Sequence, residues 1–104
     1  MVSLKYNINI ESEIVKNKLD KMTNQIFKLL PCREEGLDWQ TPLANLITDI
    51  TGMFRILQEC QGELFILLCK MEALLTLTAE DDFLQFRKVI FECLGLINNI
   101  KKCL

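Results

Sequence analysis

The sequence predicts an all-α fold. It is read as an antiparallel four-helix bundle with helices over about residues 12–30, 41–60, 62–77 and 79–102, pairing as a helical dimer. Three observations carry this. Apolar residues recur at alternating spacings of three and four over most of the chain, which lines one face of an α-helix. Period-two alternation is confined to Leu4, Tyr6, Ile8 and Ile10, and one strand makes no sheet. Only 4 Gly and 2 Pro interrupt 104 residues, a length suited to one domain, so residues 1–104 are read as a single helical unit.

The first helix is expected to begin at Ser12, a residue whose hydroxyl suits an N-cap. Val15, Leu19, Met22, Ile26 and Leu29 form its apolar stripe, opposite Lys16, Asn17, Lys21, Asn24 and Lys28. The alternating stretch from Leu4 to Ile10 reads as a lead-in to it, or as a strand that pairs with another chain. Pro31 is expected to end the helix, because proline disfavours helical geometry at the residue before it. Residues 31–40 then form the main connection.

Thr41 followed by Pro42 predicts the second helix start, with Thr41 as cap and Pro42 at the first helical position. Leu43, Leu46, Ile50, Met53 and Leu57 give the stripe, widened by Ile47 and Phe54. Gln61-Gly62 marks the next break. From Leu64 to Leu77 only Lys70, Glu72 and Thr76 are polar, so the third helix is expected to be central or to meet another molecule. Thr78 is the expected cap of the fourth helix, with Glu80 and Asp81 favoured near the positive end of its dipole. Gln85, Lys88, Glu92, Gly95 and Asn99 form its one narrow polar stripe.

Two nearly all-apolar helices exceed what a small bundle hides, and burying one Leu or Phe contributes roughly 1.5–3 kcal/mol. An oligomer interface is therefore expected at Leu64, Phe65, Leu68, Met71, Leu75, Phe86, Ile90, Phe91 and Leu94, filled by a second copy or another protein. The loop Arg33, Glu34, Glu35, Gly36, Leu37, Asp38 and Trp39 is the candidate partner-binding segment. It holds the only Trp beside an Arg, two residue types common at binding hot spots. Two readings of Trp39 stay open, a recognition side chain or a staple against Leu43 or Ala44.

Catalytic chemistry finds little to use. There is no His, which removes the commonest general base and zinc ligand. The five cysteines, Cys32, Cys60, Cys69, Cys93 and Cys103, form no C-x-x-C pair and are read as reduced thiols, with Cys69 and Cys93 as small core residues. No catalytic, metal or cofactor residue is assigned. Lys16, Lys21 and Lys28 support an alternative reading, a nucleoprotein subunit touching phosphates, although no aromatic residue interleaves with them and the net charge is −2.

A further alternative comes from Glu59-Cys60-Gln61-Gly62-Glu63-Leu64 together with Glu92. This stretch resembles the first acidic motif of the all-α MazG-like nucleotide pyrophosphohydrolases. The resemblance implies carboxylates from two helices holding Mg²⁺. It covers about six residues, and Gly95 and Leu96 stand where the second motif requires an acid.

The first residues lack a basic region followed by an apolar run, residue 2 is Val, and Lys101 stands where a prenylation box requires Cys. The longest apolar run, Leu64 to Cys69, is far short of the roughly 20 residues of a membrane span. A soluble, cytoplasmic chain with no membrane contact is expected.

Overall fold

A computed structural model describes the backbone from Val2 to Leu104 and the side chains from Glu13 onward. Four α-helices follow one another: α1 (Val2–Glu34), α2 (Gln40–Ile56), α3 (Gln61–Leu74) and α4 (Phe83–Cys103), with a single 3₁₀ turn at Glu80–Asp82 before the last. There is no strand among the described residues. The helices close a ring in which α1 packs on α2, α2 on α3, α3 on α4 and α4 on α1. Direction is read from side-chain contacts. Phe27 of α1 meets Phe91 of α4, while Asp20 of α1 pairs with Lys101 of α4, so the two helices run antiparallel.

The expected stripes form the core. Leu19, Met22, Ile26 and Leu29 from α1, Leu43, Leu46, Ile50 and Met53 from α2, and Phe86, Val89, Ile90, Cys93, Ile97 and Ile100 from α4 are buried together. α3 contributes Leu64, Leu67, Met71 and Leu74. In a ring of four, no helix is central. Of the two expectations for the third helix, a central position is therefore corrected: α3 keeps one side toward solvent.

Helix ends differ from expectation for local reasons. α1 is already helical at Val2, so Ser12 lies within it rather than capping it, and the backbone from Leu4 to Ile10 is neither a strand nor an extended arm; the side chains of that stretch lie outside the described residues. At the other end the helix runs through Pro31. An interior proline costs about 3 kcal/mol. Leu29 and Leu30, both buried, each contribute roughly 1.5–3 kcal/mol by holding the last turns on the core, which offsets it. The helix closes at Gly36 with φ +74°, a left-handed conformation that glycine adopts without steric cost. Leu37 N–H donates to Cys32 O at 2.9 Å and Gly36 N–H to Arg33 O at 3.1 Å, the two bonds of a Schellman ending.

Thr41 is not the cap of α2, which starts one residue earlier. The Asp38 carboxylate accepts the backbone N–H groups of Gln40 and Thr41, each at 3.1 Å, and Pro42 falls inside the first turn. The break before α3 comes at Leu57–Cys60 rather than at Gln61-Gly62. Leu57 is extended and Cys60 is left-handed. Gln61 acts backward instead, its side-chain amide donating to the carbonyls of Phe54 and Leu57 at 3.2 and 2.9 Å. Thr78 is likewise not a cap. Ala79 precedes the 3₁₀ turn, and its N–H donates to the Asp82 carboxylate at 3.2 Å.

Candidate interaction surface

The expected partner-binding loop separates into two groups. Trp39 is buried and meets Phe86 edge-to-face, with ring centroids 5.0 Å apart. Arg33 is half-buried. Its guanidinium donates to the carbonyl of Leu77 and, at 2.7 Å, to that of Ala79, while lying over the rings of Trp39, Phe83 and Phe86. These two side chains are engaged within the bundle, and Trp39 packs on α4 rather than serving as a free recognition group. Asp38 is exposed, but its carboxylate is engaged by the first backbone N–H groups of α2. Glu34, Glu35 and Leu37 are the ones left facing solvent.

The expected oligomer interface divides as well. Leu64, Met71, Phe86 and Ile90 are fully buried by the chain's own helices, so they are not available to a second molecule. Leu68 and Leu94 are half-buried. Phe65, Leu75 and Phe91 are exposed. Phe65 is 55 % exposed and Ile66, absent from the expected set, 47 %.

These residues mark the outer face of α3. Phe65, Cys69 and Ala73 recur every four residues, one above another, with Ile66 beside them, and all are exposed. Glu72 is the one exposed charge on that helix, Glu63 and Lys70 being half-buried. The Phe54 ring of α2 extends the patch, its centroid 6.2 Å from that of Phe65. Cys69 therefore lies on the surface rather than in the core, because the buried stripe of α3 is taken by Leu64, Leu67, Met71 and Leu74. Cys93 is buried, as expected. A second aromatic pair, Phe27 with Phe91, lies between α1 and α4 at 6.1 Å with near-perpendicular rings, and Arg87 sits over Phe91. The adjacent Phe65-Ile66 pair was the missed signal: two neighbours about 100° apart on a helix already carrying an inward stripe leave at least one facing out.

Other apolar side chains, Ile14, Ile56 and Leu84 among them, are exposed as well. A shallow cavity of about 250 Å³ lies between α1 and α2, lined by Val15, Lys18, Asp49, Met53 and Leu57 among others. Lys21 and Lys28 lie two turns apart on one face of α1, whereas Lys16 is rotated from them by roughly 120–140°. The three lysines thus form no single stripe. Of the acidic group, Glu59 lies in the turn and Glu63 on α3, separated by the left-handed Cys60, and Glu92 is paired with Lys70 at 3.2 Å. Among the described residues no three His, Cys, Asp or Glu side chains gather so as to hold a metal ion. Nor is any helix there long and apolar enough to cross a membrane.

Compared with protein-family models, with curated proteins and with solved structures, the chain matches none.

Proposed function

We propose that this protein is a non-enzymatic helical interaction module, an adaptor, assembly subunit or inhibitor of a larger complex, whose outer α3 face associates with a second copy of the chain. One observation supports the reading: α3 is apolar on both sides. Its inner stripe fills the core, and on the outer side Phe65, Ile66, Cys69 and Ala73 are exposed, with Glu72 as the one exposed charge among them. A contiguous apolar patch in water is unfavourable and is relieved by association. A helix face can pair with its own copy about a two-fold axis, each Phe65 packing beside the small Cys69 and Ala73 of the other chain. A reducing, cytoplasmic setting suits the five free thiols.

Substitution on the two aromatic patches tests this. Light scattering coupled to size exclusion is expected to show Phe65→Glu as a single chain of 12.1 kDa, with Phe91→Glu associating like the native protein. The opposite pattern, with Phe91→Glu dissociating and Phe65→Glu unaffected, would move the interface to the α1–α4 face and overturn the assignment.

A further inference from the structure

At the end of the bundle away from Arg33, the turn between α2 and α3 meets the last turn of α4. Cys60 in that turn has φ 61°, and its thiol reaches α4, with Sγ 3.9 Å from the carbonyl oxygen of Ile100. Cys103 follows Ile100 by one helical turn, so the two residues share a face of α4. The Cys103 thiol lies close enough to raise the pKa of the Cys60 thiol. Both are free, Cys60 half-buried and Cys103 exposed. We propose that Cys60 and Cys103 form a reversible intrachain disulfide, a redox-sensitive clamp between the α2–α3 turn and the C-terminal turn of α4.

The oxidant is a low-molecular-weight disulfide such as oxidised glutathione. The exposed Cys103 attacks first, as its thiolate. The S–S bond of the oxidant breaks, a mixed disulfide forms on Cys103, and one glutathione leaves and takes up a proton. The Cys60 thiolate then attacks the Cys103 sulfur and releases the second glutathione. Two protein thiols are oxidised, and one glutathione disulfide is reduced to two thiols. Desolvation, then the neighbouring Cys103, Glu63 and Glu59, push the Cys60 pKa up to about 12. Those groups face it from α4, from α3 and from its own turn. Closure needs the Cys60 thiolate and therefore accelerates with pH.

The test is to incubate the full chain in glutathione redox buffers, quench with acid, alkylate and digest with trypsin without reduction. The fragment Ile56–Lys70 is expected to appear joined through Cys60 to Cys103-Leu104. Cys60→Ser is expected to stop at the glutathione adduct of Cys103. Cys103→Ser is expected to lose the joined fragment and to slow oxidation of Cys60 by about tenfold or more. The native protein carries the test by itself if a variant unfolds. An adduct on Cys103 that never closes, a bond from Cys103 to Cys69, or a bond from Cys103 to another copy would each overturn the proposal. The clamp lies within one chain, so it stands or falls separately from association through α3.

Discussion

The Arg33 guanidinium lies over the Phe86 ring, 4.5 Å from its centroid, and so joins the last turn of α1 to the first turns of α4. The same group donates to the backbone carbonyls of Leu77 and Ala79, which ties down the loop between α3 and α4. One side chain thus secures both connections at that end of the bundle. Arginine suits the position because its planar fork donates in several directions while its face stacks on aromatic rings.

Arg33→Ala is expected to destabilise the fold by about 2–3 kcal/mol, combining lost cation–π stacking with two charge-assisted hydrogen bonds. Arg33→Lys is expected to recover less than half, since an ammonium lacks the planar face. Urea denaturation measures both. A loss below about 0.5 kcal/mol for the alanine variant, the ordinary effect of a surface change, would show that the contacts are not stabilising.

Asp38 gives a pH signature. The Thr41 hydroxyl, then the backbone N–H groups of Thr41 and Gln40, hold its carboxyl below its ordinary value of 3.8. A lowered folded-state pKa adds stability above the unfolded value, and that stability is lost as pH falls through the folded one. The native protein is therefore expected to be more stable than Asp38→Asn at pH 7, with the gap closing below about pH 4. Thermal melts of both proteins from pH 7 to pH 2.5 check this. A gap that does not change with pH would mean that the Asp38 charge does not stabilise the start of α2.

The thiols are expected to react in an order set by burial. Desolvation raises Cys93 to about 12, and the core shields it, so it stays a neutral thiol in the folded protein. Cys69 and Cys103, both exposed, are expected to be alkylated first under native conditions, as read by mass spectrometry of partially modified protein. Early labelling of Cys93 would mean that the core opens far more readily than its packing implies.

The two sides of α3 are expected to respond differently. Leu67→Ala removes a fully buried side chain and is expected to cost about 2–5 kcal/mol. Phe65→Ser removes an exposed one, and its effect on the stability of a single chain at high dilution is expected to be within about 1 kcal/mol. Equal losses in chemical denaturation would mean that Phe65 belongs to the core.

Much of this architecture was legible in the chain. The stripes of α1 and α2 were readable because each has a polar face opposite an apolar one, and that contrast fixes which side turns inward; in α4 a single narrow polar stripe gave a weaker version of it. α3 lacked the contrast. With apolar residues all round, periodicity no longer says which side is buried, and Cys69 was placed in the core for that reason. The helix ends were missed where tertiary packing outweighed local preference, as when the buried Leu29 and Leu30 carried α1 through Pro31. The local pattern leaves Trp39 open between a recognition group and a staple, and gives Arg33 no partner, because their partners are distant in sequence. Leu77 and Ala79 lie 44 and 46 positions from Arg33, which no local pattern reveals. The Cys60–Cys103 juxtaposition was hidden in the same way.

Sedimentation equilibrium of the native, fully reduced protein between about 1 and 100 μM, a range chosen to bracket micromolar affinity, tests association through α3 most directly. The account predicts a weight-average mass that rises with concentration from that of one chain, 12.1 kDa, toward that of two. A mass that stays at one chain across the whole range would contradict it.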